Sequence, residues 1–348
     1  MRVLAAMSGG VDSSVVALML QEQGHDVVGV FMRNGVAGRS SREKSCCSAS
    51  DARDASMVAD RLGIPFYAVD YEREFGELID HFAAEYRRGR TPNPCVLCNQ
   101  HLKFGHLFRL ADDIGAEMVA TGHYARIVAG ELHTARDANK DQTYYLFGVE
   151  REALRRTLFP LGELTKQQVR ERAAERGLST AEKPESMEIC FVTSGDYREV
   201  VRARGGGGRP GRFLAADGSV LGVHDGIDAF TVGQRRGLPA LGSPHYVAAI
   251  DADSGDVTLV PRGGLQRRVL FASGVRWLID APPPEQHLPA EVKVRARHAA
   301  VAGTVVVTAP GAARVEFDSP VEAITPGQAA VFYRGSQVLG GGWIDGAA

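Results

Sequence analysis

The sequence contains no long apolar run. Its first two apolar stretches, residues 3–7 and 15–20, are separated by Ser8, two glycines and Asp12. A secretory signal needs an unbroken apolar segment, and a membrane span needs roughly 20 consecutive apolar residues. We therefore expect a cytoplasmic protein that does not enter a membrane.

Cysteine is scarce as well, with five in 348 residues. The number is odd, and Cys95 and Cys98 form a C-x-x-C pair, so a set of stabilising disulfides is a poor interpretation. In a chain without an export signal, thiols more often serve catalysis or metal binding. Cys46 and Cys47 are adjacent in a predicted loop, and no role follows for them from the sequence.

An excess of positive charge is also missing, since the formal net charge is -2. A polyanion therefore cannot be attracted by the molecule as a whole. Residues 151–212 nevertheless contain 13 Lys and Arg against 9 Asp and Glu. This local excess permits RNA binding, although a solvated basic surface is the simpler explanation when the patch is taken alone.

The length exceeds what one hydrophobic core usually supports. The pattern of predicted secondary structure also changes twice along the chain. Residues 1–195 alternate strand-like and helix-like segments, which predicts an α/β fold with a doubly wound, mostly parallel sheet. Residues 196–261 follow a glycine-rich break and predict a small β-rich connector domain. Residues 262–348 predict a C-terminal antiparallel β-barrel.

Individual elements follow from apolar periodicity and from glycine stops. In the α/β domain we predict strands at residues 3–7, 26–32, 65–71 and 118–121, and helices at 12–23, 49–62, 77–88 and 104–114. In the barrel we predict strands at residues 292–297, 303–308, 313–317, 328–333 and 337–339.

The first strand runs directly into the string S-G-G-V-D-S-S at residues 8–14, and then into a helix. Paired glycines bring backbone N–H groups close to an anion, and the positively polarised helix N-terminus favours the same ligand. The Gly-Lys-Ser/Thr ending of a Walker loop is missing, which favours binding of a departing pyrophosphate. A glycine-rich turn without a ligand is the alternative.

This string resembles the signature of the PP-loop ATP pyrophosphatases, which include GMP synthetases, argininosuccinate synthetases and tRNA thiolases. The resemblance implies ATP as cosubstrate, with Mg²⁺ on its phosphates organised by Asp12, because a carboxylate would otherwise repel them. For Met32 alone, core packing is the simpler role. The resemblance implies that ATP contacts Ala6, Met7, Ser8, Gly9, Gly10, Val11, Asp12, Ser13, Ser14, Met32 and Gly122.

Two further segments carry cysteines. Two prolines at residues 92–94 precede Cys95 and Cys98, and the predicted helix after them would place Cys98 near a helix N-terminus, which lowers a thiol pKa. Cys190 lies in a short apolar run that reads as a strand. Taken alone, Cys190 is better explained as a buried, inert cysteine than as a reactive one.

The motifs taken together resemble the tRNA-specific 2-thiouridylase family almost from end to end. They are F-M-R-N at residues 31–34, R-T-P-N-P-x-x-x-C-N at 90–99, T-G-H-Y at 121–124, N-K-D-Q-T-Y at 139–144, I-C-F at 189–191, G-Q-R-R-G-L at 233–238 and T-P-G-Q at 325–328.

The resemblance implies a reaction in two stages. AMP is transferred from ATP to the C2 oxygen of the wobble uridine in tRNAs for glutamate, glutamine and lysine, and sulfur then replaces that oxygen. Cys190 would carry a persulfide received from an upstream sulfur donor protein. Cys98 would free the sulfur and leave a Cys98–Cys190 disulfide for later reduction. Neither DNA nor a membrane is expected as a partner.

The tRNA contacts also follow from the resemblance alone. Asn93 and Pro94 would line the pocket for the target base, and a basic side chain in the barrel is otherwise usually a solvated one. The positions implied to contact tRNA are Asn93, Pro94, Cys95, His123, Lys140, Asp141, Gln142, Arg295 and Gln328.

Cys95 departs from the family pattern, because aspartate is frequent at its position and is proposed to assist proton transfer there. Cys95 is therefore a third catalytic candidate beside Cys98 and Cys190. Alternatively, these three cysteines hold an iron-sulfur cluster with one open iron, although four cysteines are the usual complement. A PP-loop ligase of the argininosuccinate type and a nucleotide-sensing or RNA-binding module remain rival functions.

Overall fold

The computed structural model describes residues 1–35, 49–185, 189–192, 195–205 and 207–348. Cys46 and Cys47 lie outside the described residues. The chain forms two compact units. One comprises residues 1–78, 95–195 and 336–338, and the other comprises residues 79–94, 196–335 and 339–348.

The first unit contains a five-stranded sheet in which every neighbouring pair is parallel. The strands of this unit are β1 (Arg2–Ala6), β2 (Asp26–Arg33), β3 (Phe66–Asp70), β4 (Met118–Ala120), β5 (Ala125–Val128), β6 (Glu131–Thr134) and β7 (Thr157–Leu158). The sheet order is β3-β2-β1-β4-β7, with β1 in the centre. This arrangement confirms the predicted α/β fold. The antiparallel hairpin β5–β6 and the short β7 are additions to the prediction.

Helices connect and follow these strands, and the last helix along the chain belongs to the second unit. They are α1 (Val11–Glu22), α2 (Ala49–Leu62), α3 (Glu72–Arg87), α4 (Pro94–Leu97), a π-helix (Cys98–His106), α5 (Leu107–Asp113), α6 (Arg151–Arg155), α7 (Lys166–Glu175) and α8 (Tyr197–Ala203). Short 3-10 turns occupy Thr143–Tyr145, Ile227–Ala229 and Arg262–Leu265. The predicted bounds of α2 are confirmed, whereas the helix predicted at residues 104–114 begins ten residues earlier, at Pro94.

The core of the first unit forms where α1 packs on the sheet. Val15 and Val16 of α1 are fully buried in one cluster with Phe31 of β2 and Val58 of α2. Burying a side chain of this size contributes about 1.5–3 kcal/mol. Because α1 is buried along most of its length, its start is held firmly against the carboxyl end of β1.

The second unit contains a four-stranded sheet and a barrel. The sheet is formed by β8 (Gly211–Leu214), β9 (Val220–His224), β10 (His245–Ile250) and β11 (Val257–Pro261), in the order β10-β11-β8-β9. The barrel strands are β12 (Gln266–Trp277), β13 (His287–Lys293), β14 (Val301–Ala309), β15 (Ala312–Glu322), β16 (Ala329–Arg334) and β17 (Gln337–Ala347). Pairing of β12 with β17 closes the barrel, which confirms the predicted barrel class.

The barrel strands differ from the prediction in several places, and β15 and β17 run five and eight residues beyond the predicted ends at residues 317 and 339. No strand was expected at β12, whose residues 266–268 are polar and whose register shifts between Arg267 and Val269, so period-two alternation is weak there. The strand expected at residues 292–297 instead spans β13, because His287 to Val292 pair with β14.

No helix in the described part of the chain is both long enough and apolar enough to cross a bilayer.

Candidate functional site

The loop between β1 and α1 is held in a tight turn by its own hydroxyl groups. The Ser8 N–H donates to Ser13 Oγ at 3.0 Å, and the hydroxyls of Ser13 and Ser14 donate to the Gly10 carbonyl at 3.1 and 2.9 Å. These hydroxyls therefore shape the loop in this structure, where the sequence suggested that they face an anion.

Gly9 is required by the geometry of this turn. Its φ is +73°, a left-handed conformation that residues with a Cβ adopt at a cost of about 1–2 kcal/mol. A Cβ at Gly9 would also overlap the backbone carbonyl of Asp51 and lie 2.9 Å from the Asp51 Cα. The loop and the first turn of α2 thus approach each other more closely than any larger residue allows.

A cavity of about 230 Å³ opens beside the loop at the carboxyl ends of β1, β2 and β4. In parallel sheets this edge is where ligands bind. Nine predicted site residues line it, namely Ala6, Met7, Ser8, Asp12, Ser13, Met32, Gly122, His123 and Gln142. Val30, Lys103 and Thr121 complete the lining and were not predicted.

Gly122 lets β4 approach the start of α1. A Cβ at this position would lie 3.2 Å from the Ser13 N and 3.3 Å from the Asp12 Cβ, tighter than ordinary van der Waals contact. Its position on the cavity wall is thus set by packing against the loop.

Asp12 forms an ion pair that the sequence did not suggest. Both of its carboxylate oxygens accept hydrogen bonds from Lys166 Nζ, at 2.6 and 2.8 Å, and Oδ1 also accepts one from the Tyr124 hydroxyl at 2.9 Å. The Lys166 side chain is only 12% exposed. The loop has no lysine of its own, but Lys166 of α7 brings an ammonium group to Asp12 in the first turn of α1.

The position of Lys166 is set by the start of α7. The Thr165 hydroxyl accepts from the Gln168 N–H, and the Gln168 side chain accepts from the Thr165 N–H at 2.9 Å, so both halves of a capping box are present. This T-x-x-Q spacing was readable in the sequence as a helix start, although nothing there linked the next residue to the loop.

His123 is a buried, neutral histidine. It is 8% exposed, and its Nδ1 lies 2.8 Å from Thr121 Oγ1. Burial, and next the ammonium of Lys103, hold the pKa of His123 well below its ordinary value. A neutral imidazole at the cavity wall suits hydrogen bonding to a nucleotide or a base more than charge pairing with phosphate.

A pH dependence of stability follows from this histidine. Below pH about 6.5 the unfolded chain binds a proton at His123 that the native state does not, so the free energy of unfolding falls as pH falls, by up to about 1.4 kcal/mol per pH unit. His123→Gln should remove this contribution. We expect a flatter acid limb for the variant when urea unfolding is compared at pH 7 and pH 5; an unchanged slope would contradict a neutral His123.

Cys98 differs from its expected environment. The helix begins at Pro94, so Cys95 lies in its first turn and Cys98 lies beyond it, as the first residue of the π-helix. Burial raises the pKa of the Cys98 thiol, and the nearby Lys103 ammonium opposes this only in part. The predicted lowering of its pKa is therefore wrong for this conformation. Cys95 is exposed.

Cys190 lies in a turn and not in the strand that its apolar neighbours suggested. The Val192 N–H donates to the Ile189 carbonyl at 2.9 Å, which closes a four-residue turn, while Phe191 and Val192 are buried. Burial of these two side chains explains the apolar pattern without a strand. Neither Cys98 nor Cys190 is among the described residues that line the cavity.

Within the described ranges, no group of three or more His, Cys, Asp or Glu side chains is arranged to hold a metal ion. Cys95, Cys98 and Cys190 therefore do not converge as cluster ligands in this conformation. Three thiolates at one point would be needed before an iron-sulfur cluster fits.

Three predicted tRNA contacts in the first unit have partners within that unit. Lys140 Nζ pairs with Glu185 at 2.6 Å, the Asp141 carboxylate accepts from the Thr143 hydroxyl at 2.8 Å, and the Gln142 side chain accepts from the Tyr124 N–H at 2.9 Å.

Asn93, Pro94, Arg295 and Gln328 lie in the second unit, whereas Cys95 and His123 belong to the first. Gln328 Nε2 donates to the Thr91 carbonyl at 2.9 Å, directly before Asn93 and Pro94, both of which are buried. The Arg295 guanidinium donates to the Ala323 carbonyl and, at 3.0 Å, to the Thr325 hydroxyl. In this structure Gln328 therefore holds the segment that carries Asn93, and Arg295 braces a barrel loop.

Comparison with known proteins divides the chain into three matched regions. The family model described as tRNA methyl transferase HUP domain matches residues 1–194, the one described as tRNA methyl transferase PRC-barrel domain matches residues 202–261, and the one described as aminomethyltransferase beta-barrel domain matches residues 267–344.

Curated relatives match along nearly the whole chain. A tRNA-specific 2-thiouridylase MnmA from Geobacter metallireducens is 48% identical over 99% of this chain and 97% of its own length. Proteins of the same name from Geotalea uraniireducens and Rhodospirillum centenum are 47% and 45% identical over 99% of this chain, and over 95% and 91% of their own lengths. The chain belongs to the tRNA-specific 2-thiouridylase family.

Proposed function

We propose that this chain is an ATP-dependent tRNA-uridine 2-sulfurtransferase, which replaces the C2 oxygen of a uridine in tRNA with sulfur. The observation that carries the proposal is the cavity beside the Gly9 turn, which nine of the predicted site residues and Lys103 line and at which Lys166 pairs with Asp12. Family membership supports the reaction, and the cavity supplies a place for its nucleotide.

The first stage makes the C2 oxygen a leaving group. A uracil C2 carbonyl is urea-like and unreactive, so its oxygen attacks the α-phosphorus of ATP and pyrophosphate departs. Charge developing on the leaving phosphates is stabilised by loop N–H groups at the start of α1 and by nearby ammonium groups. Lys103 and Lys166 are placed for that role, which explains how a loop without its own lysine can serve pyrophosphate.

Magnesium is the expected companion of ATP. In this structure Asp12 already has a cationic partner in Lys166, so its carboxylate does not confront the phosphates as an uncompensated charge. We propose that Mg²⁺ arrives with the nucleotide and that Asp12 helps to hold it after Lys166 moves to the phosphates.

The second stage delivers sulfur. We propose that Cys190 carries a persulfide received from an upstream donor protein and that the Cys98 thiolate attacks the Cys190 sulfur. The S–S bond of the persulfide breaks, hydrosulfide adds to C2 and AMP leaves with the former oxygen. A Cys98–Cys190 disulfide remains, and a two-electron reductant must restore both thiols. Because desolvation raises the pKa of the half-buried Cys98 thiol, its thiolate must form after substrate binding changes its surroundings.

The proposed substrate is the wobble uridine of tRNAs for glutamate, glutamine and lysine. Anticodon loops present unpaired bases, which lowers the free energy needed to extrude one into a pocket. Asn93 and Pro94 are the proposed lining of that pocket, and the remaining proposed tRNA contacts are Cys95, His123, Lys140, Asp141, Gln142, Arg295 and Gln328.

Pyrophosphate release tests the proposal against its rivals. We expect release from ATP to rise on the order of 100-fold when unmodified tRNA is added, because the attacking oxygen belongs to the tRNA and must be held in place. A PP-loop ligase would respond to a small amino acid instead. A nucleotide-sensing module would bind ATP and release no pyrophosphate under either condition. Either outcome would overturn the proposal.

A further inference from the structure

Lys183 and Glu185, which lie seven and five residues before Cys190, are both linked to the phosphate loop. Lys183 Nζ donates to the Gly9 carbonyl at 2.9 Å, and it also pairs with Asp51 at 2.7 Å and with Asp54. Two residues later, Glu185 pairs with Lys166 at 3.1 Å and with Lys140 at 2.6 Å. Lys183 contacts the loop backbone directly, which is the first link. Glu185 reaches the loop through Lys166 and Asp12, which is the second link.

The second link is a row of ion pairs between four alternating charges, in the order Asp12, Lys166, Glu185 and Lys140. All four side chains are at most 32% exposed, so solvent screens these interactions less than it would at the surface. Burial alone would raise the pKa of Glu185, but hydrogen bonds from Lys140 and Lys166 outweigh it, and its pKa lies below the ordinary value. Glu185 is thus a carboxylate shared between two ammonium groups.

The ion pairs among these four side chains should respond to an anion that binds beside Asp12. The four charges sum to zero, so a triphosphate entering the cavity beside Asp12 adds net negative charge, of which Lys103 on the cavity wall and an accompanying Mg²⁺ offset a part. Lys166 is the ammonium that already contacts the loop carboxylate, and phosphate oxygens compete for it with Glu185. When Lys166 turns to phosphate, Glu185 keeps only Lys140.

We infer that Lys183 and Glu185 are positioning residues that anchor the chain ahead of Cys190 at the phosphate loop, and that a bound nucleotide loosens this anchor by drawing Lys166 away from Glu185. The functional meaning rests on the proposed role of Cys190 as sulfur carrier. Cys190 does not line the nucleotide cavity in this conformation, and a looser anchor would let its sulfur approach a uridine that is activated at the α-phosphate of the nucleotide. Nucleotide loading would then precede release of the sulfur-carrying cysteine, which keeps the persulfide from reacting before a uridine has been activated.

The test measures how fast the Cys190 thiol reacts. The full-length protein is treated with iodoacetamide, and alkylation of Cys190 is followed by peptide mass spectrometry. The measurement is made with and without an ATP analogue that has a methylene group between its α and β phosphates. In the wild type we expect the analogue to accelerate alkylation of Cys190 about fivefold, the size expected from losing one partly buried charge pair. Alkylation of the exposed Cys95 in the same sample reports on the reagent itself.

Glu185→Gln removes the charge and keeps the shape. Without nucleotide, Cys190 of this variant should be alkylated about as fast as Cys190 of the nucleotide-bound wild type. Adding the analogue should then raise the alkylation rate by less than about twofold. Glu182→Gln is the matched control, because Glu182 is exposed, lies three residues away and should leave the wild-type response intact. Thermal unfolding and analogue affinity, measured on each variant, show whether the fold and the cavity are preserved.

Two results would overturn the inference. One is a wild-type Cys190 whose reactivity ignores the nucleotide, which needs no variant to observe. The other is a folded Glu185→Gln protein that keeps the full nucleotide response. Alkylation does not require thiolation, so the two proposals can fail separately. If Cys190 responds to nucleotide as expected but Cys190→Ser still thiolates tRNA, the coupling stands and the sulfur-carrying role is refuted.

Discussion

Cys190→Ser is expected to lower tRNA thiolation by more than about 1,000-fold, because a serine hydroxyl cannot carry a persulfide sulfur. The side chains change by one atom, and Cys190 does not line the nucleotide cavity, so ATP affinity should stay within about twofold of the wild type. Formation of 2-thiouridine in tRNA, measured by nucleoside mass spectrometry, and ATP binding, measured by calorimetry, separate the two effects.

Cys98→Ser should cause a loss of the same size for a different reason. This variant can still be charged with a persulfide at Cys190, but no thiolate is present to free the sulfur, and the Cys98–Cys190 disulfide cannot form. We therefore expect the persulfide to accumulate on Cys98→Ser and to be absent from Cys190→Ser. Substantial thiolation by either variant would contradict the proposed roles.

Cys95→Ser provides the comparison that separates persulfide chemistry from cluster chemistry. A cluster held by three cysteines fails when any one is lost, whereas the persulfide route needs only Cys98 and Cys190. We expect Cys95→Ser to keep measurable activity, and Cys95→Asp, which restores a residue frequent in the family, to keep at least as much. Anaerobic purification with iron and sulfide analysis gives an independent answer, since an active, iron-free protein excludes the cluster.

Gly9→Ala is expected to weaken ATP binding by about 30-fold or more. The left-handed φ of Gly9 costs alanine about 1–2 kcal/mol, and its Cβ would overlap the Asp51 carbonyl, so the loop must shift away from α2. That shift also moves the Gly9 carbonyl away from the Lys183 ammonium. Calorimetry with ATP and thermal unfolding measure the two consequences.

Gly10→Ala is the matched control in the same loop. Gly10 has φ -95° and ψ 165°, which any residue adopts, and a Cβ there meets only the Ser8 Oγ at 3.7 Å. Replacing glycine at a helix N-cap should lower the free energy of unfolding by about 1 kcal/mol. The loss of ATP affinity should be well below that expected for Gly9→Ala. Equal effects at the two positions would show that backbone strain is not what makes Gly9 necessary.

The sequence predicted what depends on local pattern. The parallel sheet, the loop between β1 and α1 and the barrel all follow from periodicity and glycine placement, and nine of the predicted site residues line the cavity. Local pattern cannot show which distant residues meet, however. Lys166 is 154 positions from Asp12, and the capping box at Thr165 predicts where α7 begins without predicting what its first residue contacts.

The cysteines show the same limit in another way. The pKa of Cys98 depends on burial by residues far along the chain, so a rule based on its distance from a helix start gave the wrong direction. At Cys190, an apolar run was interpreted as a strand because buried turns and buried strands share the same composition. The Val192 to Ile189 hydrogen bond that distinguishes them is a property of the backbone and not of residue type.

In the π-helix from Cys98 to His106 the backbone hydrogen bonds join residues five apart, where those of an α-helix join residues four apart. Cys98 and Lys103 are five residues apart, so the widened turn brings them toward the same side of the helix, and Lys103 also lines the cavity. In a regular α-helix, residues five apart point in different directions. The extra residue in the turn is therefore what lets one lysine serve a sulfur atom and a nucleotide pocket at once.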